Sequence, residues 1–288
     1  MQRVILFRFH AYGSICENRL RLLKRYNPSI PIYGLFGGLE KDCRRFQHKL
    51  SGYLENIYCL KNKTKEWKWR NGDLAVRLWF DDVGHHLAFD MLHLIEWDLL
   101  LFDPLDKIYR NMPHDTVGLT ALTPSANVEG KWIWTSKDPY KKEWNELLKW
   151  VNEKFNFIQE PFVTHGPGIC LPRKFLEAYS AVEVPELCND EARLPLFSQA
   201  LGFTMRDTGF TTGWFEKKDG KTFHCRIFPE INLTTIKKEL ADPSGKRAFH
   251  PFRKTFTLEG RINIFTGLRE SLRSGKKWIV HLVRHQFS

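Results

Sequence analysis

The chain has 288 residues, a net charge of +11 and 42% hydrophobic residues, among them ten Trp and twenty-two Phe. That length and composition suit one large domain with a full core and exclude a low-complexity or disordered chain. The excess of 44 Lys and Arg over 33 Asp and Glu points to anionic partners, phosphate above all, without choosing among nucleic acid, a nucleotide diphosphate and an anionic membrane surface.

The N-terminus enters an apolar strand directly, and its apolar stretch is too short for a signal peptide. No run approaches the length of a membrane span. The six cysteines, Cys16, Cys43, Cys59, Cys170, Cys188 and Cys225, show no C-x-x-C pair and no zinc-type spacing, so a reduced interior is the simplest reading. These features lead us to expect a cytoplasmic protein, with peripheral membrane contact through the basic C-terminus as an option.

Val4 to Phe9 reads as a strand, and Ser14 to Tyr26 as a helix with apolar Ile15, Leu20, Leu22 and Leu23, ended by Pro28. Ile30 to Phe36 forms a second strand, Lys41 to Leu50 a polar helix, and Asn56 to Leu60 a third strand. This is a βαβαβ opening of a doubly wound parallel sheet, whose ligands gather at the carboxyl ends of the strands. Asp73 is placed to cap a helix running to about Phe80, and the apolar run from Met91 to Phe102 is the next strand. Further on come a short helix over Pro104 to Arg110, a strand over Val117 to Leu122 and a helix over Tyr140 to Phe155. Asp138-Pro139 supplies the N-cap and first position of that last helix. From Phe162 the pattern becomes strand, turn and helix, the turn being Thr164-His165-Gly166-Pro167-Gly168, so the second half reads as α+β.

Two acids one residue apart, in Glu96-Trp97-Asp98, stand inside that apolar run. A strand buried on both faces has no cheap place for a carboxylate. If the strand continues through them, alternation puts Glu96 and Asp98 on one side and Trp97 on the other, an arrangement that presents oxygen ligands to a divalent cation. The alternative is a strand end where both acids meet solvent or a basic partner. Asp190 and Glu191 open a helix at its positive end, as caps or as carboxylates able to accept a proton. His250 precedes Arg253 and Lys254, a lone imidazole followed by two cations.

Arg8, His10 and Tyr12 lie at the carboxyl edge of the first strand, where Tyr12 can stack on a base and Arg8 or His10 can meet a phosphate. Asp81-Asp82 with His85-His86 make a second candidate metal cluster, and Asp82 is alternatively a contact to base or ribose. Lys65 to Arg70 interleaves Trp with cations as single-strand nucleic-acid platforms do, a donor or acceptor loop or a partly buried segment being the other readings. Trp132 and Trp134 offer sugar stacking or, more plainly, a half-buried strand.

In this order the motifs resemble those of the nucleotide-sugar-dependent glycosyltransferases of the GT-A fold. The likeness rests on the βαβ opening, the Glu96-Trp97-Asp98 triplet, the Gly-Pro-Gly-Ile turn followed by Arg173, and the Asp190-Glu191 helix with His250-Pro251 beyond it, over roughly residues 3 to 254. It implies a GT-A-like α/β fold: a Rossmann-type, mostly parallel central sheet with an α+β acceptor-side half. One domain over 1–288 would then divide into a donor half, about 1–110, and an acceptor half, about 111–288. The resemblance further implies Mn2+ or Mg2+ held by Asp98, with Glu96 assisting and His250 completing the set. Arg8, His10, Tyr12, Asp82, Trp97, Arg253 and Lys254 would bind the donor, and Gly166 and Gly168 would sit on the acceptor side. Asp190, or nearly as readily Glu191, would be the base of an inverting transfer to a glycan or glycolipid, with no nucleic acid as partner. Glu96 departs from the usual Asp, which puts its direct metal contact in question. The rivals are a nucleotidyltransferase on a similar sheet and a noncatalytic nucleic-acid-binding protein.

Overall fold

A computed structural model of the chain describes residues 1–211, 213–215, 220–226 and 229–257. The basic C-terminal stretch considered for membrane contact lies outside the described residues. In the first part of the chain come β1 (Arg3–Phe9), α1 (Gly13–Tyr26), β2 (Ile32–Phe36), α2 (Cys43–Leu50), β3 (Ile57–Cys59), α3 (Lys65–Arg70), α4 (Gly72–Asp82) and β4 (Met91–Glu96). Then follow β5 (Leu100–Leu101), α5 (Leu105–Ile108), β6 (Val117–Pro124), α6 (Ile133–Ser136), α7 (Tyr140–Phe155), β7 (Phe162–Pro172) and α8 (Arg173–Ser180). The described chain closes with α9 (Asp190–Ala200), β8 (Met205–Asp207), α10 (Leu233–Ala241) and β9 (Ala248–Phe249).

Seven strands form one sheet in the order β3-β2-β1-β4-β7-β6-β8. All neighbours are parallel except β7, which runs antiparallel to both β4 and β6. The fold is thus α/β on a mostly parallel central sheet, as expected. Alternation along β1 shows how the layers form: Val4 and Leu6 enter one core, while Ile5, Phe7 and Phe9 enter the other. The first core packs against α4, α7, α8 and α9, and the second against α1, α2 and α5. A smaller third cluster joins Leu22 of α1 to Leu100, Phe249, Phe252 and Phe256, fastening the segment after β9 to the body. No helix among the described residues is long and apolar enough to cross a membrane.

Several local expectations change. Residues 65–70 are helical, with Thr64 capping Trp67 N–H. Asp73 is not a cap: Asn71 precedes α4, and Asp73 is turned inward to a buried arginine. Pro139 is itself the N-cap of α7 and not its first residue. Trp132 and Trp134 lie at the start of and within α6 with both side chains in the core, which removes them from the surface that a sugar could stack on. The Gly166–Gly168 stretch is part of β7, where register shifts against β6 absorb the positive φ of Gly168. Cys43 and Cys59 form a disulfide, their Cα atoms 6.3 Å apart. Sixteen residues separate them, so only the packing of α2 beside the end of β3 brings them together.

Candidate active site

Register across the parallel strands builds the centre of the site. Arg8 of β1 pairs with Glu96 of β4, and both stand at the carboxyl edge. The strand stops there: Leu99 N–H turns back to the Glu96 carbonyl at 3.0 Å, and Trp97 N–H donates to Arg8 O at 3.1 Å. The acid pair is therefore split between a strand end and a tight turn, and the turn, not pleat alternation, brings both carboxylates to one place. Asp98 is 6% exposed.

The segment after β9 completes the set. It is held by the β5–β9 pairing and by Phe252 N–H donating to Asp98 O at 2.9 Å. His250 Nε2 lies 3.4 Å from Asp98 Oδ1, and Arg253 Nε donates to Asp98 Oδ2 at 3.2 Å. One ligand atom from each of Glu96, Asp98 and His250 lies within 4.8 Å of the others, the one such cluster among the described residues. His250 Nδ1 is 2.7 Å from the His224 carbonyl, which can only accept, so Nδ1 carries a proton and Nε2 is the ring nitrogen that faces the cluster. Two carboxylates and an imidazole so oriented suit a divalent cation.

The charges are interlocked. Burial alone would raise the Asp98 carboxyl, but His250 and Arg253 outweigh it and hold Asp98 well below the usual carboxylate range. Burial raises Glu96, with Arg8 opposing and Asp98 adding. Arg8 Nη1 donates to Glu96 Oε1 at 3.2 Å and to Asp190 Oδ2 at 3.4 Å, while Nη2 donates to Lys68 O at 2.9 Å. One guanidinium thus links the cation cluster to the first residue of α9. Burial pushes the Asp190 carboxyl to about 7; Arg8 opposes this, and the negative charges of Asp73 and Glu191 add to it.

Behind Asp190 stands a set that the sequence did not reveal. Arg193, one turn along α9, is wholly buried and donates from Nε and Nη2 to both oxygens of Asp73 at 2.8 and 2.6 Å, and Tyr179 Oη donates to the same carboxylate at 2.6 Å. This locks the start of α4 to the start of α9. Between them Gly72 has no room for a side chain: a Cβ there would stand 2.1 Å from Asp190 Oδ2 and 2.3 Å from Arg8 Nη1. Cys225 was likewise unforeseen; burial, and then the negative charges of Glu191, Glu96 and Asp98, raise its thiol well above the ordinary value.

The remaining expected residues divide. Tyr12 stacks on Trp97 with centroids 4.6 Å apart, and His10 meets both rings edge-on. His10 is itself exposed, and desolvation of its ring by the groups around it lowers its pKa from the ordinary value. Glu191 accepts from Gly166 N–H at 3.3 Å and from the Asn189 amide at 3.2 Å, and lies 3.8 Å from His165 Nδ1. Gly168 does not open toward a ligand: its Cβ position is filled by Phe210, and its carbonyl accepts from Tyr109. Lys254 turns from Asp98 toward Glu230 and lines an open recess of about 500 Å3 with Ile231 and Phe252. Asp82 stands at the other end of α4 from Gly72, ten residues and about 15 Å along the axis. There it accepts from Tyr58, and with Asp81, His85 and His86 forms no metal cluster among the described residues.

No protein-family model and no curated protein matches the chain. Among solved structures it is similar to the galactosyltransferase LgtC in complex with donor and acceptor sugar analogues, at TM-score 0.36 and 11% identity over 71% of this chain and 72% of that one. Against an active-site mutant of LgtC the values are 0.35 and 13%, and the chain spans 60% of that structure. It is also similar to 4-diphosphocytidyl-2C-methyl-D-erythritol synthase from Anaerococcus prevotii DSM 20548, at TM-score 0.41 and 10% identity over 72% of this chain and 87% of that one. The S. aureus protein TarS gives TM-score 0.42 and 10% identity over 72% of this chain and 35% of its own.

Proposed function

We propose that this chain is a cation-dependent, inverting glycosyltransferase that moves a sugar from a nucleotide-sugar donor to a glycan or glycolipid acceptor. The observation that carries the reading is the meeting of Glu96, Asp98 and His250 with Arg253 and Arg8 at the carboxyl edge of β1 and β4, with Asp190 on the other side of Arg8. Asp98, His250 and Glu96 would hold Mn2+ or Mg2+, which supplies charge neutralisation to a departing diphosphate. Arg253 and Arg8 add fixed positive charge for the same oxygens. The stacked Tyr12 and Trp97, with His10, form the wall against which the donor nucleotide packs.

Asp190 takes the proton of the acceptor hydroxyl as its oxygen bonds to the anomeric carbon, and the breaking carbon–oxygen bond leaves its electron pair on the nucleoside diphosphate. A carboxyl at about 7 is matched to that task. Glu191, tied to Gly166 N–H and the Asn189 amide, shapes the floor instead. In this reading residues from about 1–110 carry most of the donor side and those from about 111–288 the acceptor side.

Thermal-shift measurements with nucleotides and nucleotide sugars, with and without Mn2+, test the assignment, because a bound ligand raises apparent stability. The expected result is a cation-dependent stabilisation that Asp98→Ala abolishes while leaving the fold intact. Chelator-resistant transfer, or full turnover by Asp98→Ala, would refute the cation site. Release of pyrophosphate in place of nucleoside diphosphate would assign nucleotidyl transfer.

A further inference from the structure

His250 and Arg253 reach Asp98 from a segment that pairs through β9 with β5, bridges Phe223 at His250, and bonds Ile231 and Glu230 through Pro251 and Arg253. Beyond Phe252 a second hold comes from α1. Asn18 and Arg19, consecutive on α1, grip residues 252–256 by four hydrogen bonds. Asn18 Nδ2 donates to Phe256 O at 2.7 Å, and Asn18 Oδ1 accepts from Phe256 N–H at 2.9 Å, so the amide pairs with the chain as a strand backbone would. Arg19 Nη2 donates to Phe252 O at 2.6 Å and to Lys254 O at 2.8 Å. Arg19 Nη1 in turn donates to Asn18 Oδ1 at 2.6 Å, which ties the two side chains into one clamp.

Arg253 stands between the two carbonyls that Arg19 holds. Fixing the backbone on both sides of a residue fixes where its side chain begins, and the Arg253 side chain ends on Asp98. Arg19 is also an expensive way to hold a loop. It is 1% exposed, and among the described residues no carboxylate is bonded to it and its buried Nε has no hydrogen-bond partner. A buried charge so incompletely paired costs stability that an apolar residue would not. Burial lowers its ionisation to about 10, with the charge of Asp98 opposing, so Arg19 stays positive and adds to the field at the site. Its guanidinium also lies 5.5 Å over the Phe252 ring.

We propose that Asn18 and Arg19 are positioning residues for the cation site, setting the placement of His250 and Arg253 against Asp98 without touching substrate. The inference rests on the cation reading given above. The test is Mn2+ binding by the full chain, followed by the loss of the free-ion electron paramagnetic resonance signal, for wild type, Asn18→Ala, Arg19→Lys and Arg19→Gln, with Asp98→Ala as the site control. Unfolding curves run beside it separate local from global effects.

Asn18→Ala is expected to weaken Mn2+ binding about tenfold, the lower end of what outer partners of metal ligands cost, while remaining folded. Arg19→Gln is expected to do the same or more, and Arg19→Lys, which keeps the charge and can reach a carbonyl, to recover part of the loss. Where Arg19→Gln fails to fold, Asn18→Ala and Arg19→Lys carry the test. Wild-type binding with unchanged affinity in the folded variants would overturn this inference alone. Absence of Mn2+ binding by wild type would overturn the cation reading and the inference with it.

Discussion

Replacing Asp190 by Asn tests the site through stability, before any substrate is known. Burial, with Asp73 and Glu191 adding and Arg8 opposing, moves this carboxyl from 3.8 to about 7 in the folded chain. Between those values the folded protein keeps a proton that the unfolded chain has released. The folded state therefore binds more protons in that window, and the contribution of Asp190 to stability falls as pH rises, by about 1.4 kcal/mol per unit. The full penalty is present above the folded value and amounts to roughly 4 kcal/mol over the whole window. An asparagine has no proton to lose, so the variant escapes the fall, apart from a pH-independent offset for its altered contact with Arg8. Urea unfolding of both proteins from about pH 5 to about pH 8 reads the effect, and subtracting one curve from the other cancels the groups they share. The variant should gain on wild type by roughly 3 kcal/mol across that range. A difference that stays flat would refute the elevated carboxyl, and with it the acid limb near pH 7 that Asp190 would impose on transfer.

Asp73→Asn should destabilise the fold by about 3–5 kcal/mol, since it leaves Arg193 as an uncompensated buried charge, whereas an apolar replacement of both partners should recover most of that loss; urea midpoints read both. Gly72→Ala forces a methyl against Asp190 and Arg8, so the start of α4 must shift. Such overpacking costs about 1–3 kcal/mol and should depress transfer by more than it lowers Tm, because the displaced groups are those of the site. A Gly72→Ala enzyme with wild-type kcat would show that the Arg8–Asp190 contact is dispensable.

How much of this the sequence disclosed depended on the range of the interaction. The strands and long helices were legible because their signal is local periodicity; α7 occupies the residues expected of it. Glu96 and Asp98 were legible as an anomaly, acids where apolar residues belong. The turn that unites them was not, because it depends on one backbone hydrogen bond from Leu99 that either reading of the triplet permits. Which end of α4 meets Asp190 and Arg8 was not legible either, because it is set by the packing of Gly72. Arg193 and Asp73 are 120 residues apart in the chain, and no spacing rule connects residues at that distance. The clamp of Asn18 and Arg19 was hidden in the same way, inside a helix whose pattern reads simply as amphipathic.

The segment after β9 also gives the site an order in time. Asp98 is made early and His250 and Arg253 come roughly 150 residues later, a delay of about 8 to 30 s at ordinary rates of synthesis. Until then Asp98 has neither its imidazole nor its guanidinium, so a nascent chain in which the seven strands of the main sheet have already paired still lacks two of the groups that the proposed cation site needs. On the proposed function, competence for a cation would report that the chain has been made through Arg253 and folded back onto α1, and a product stopping short of β9 would keep the strands of the main sheet without that competence.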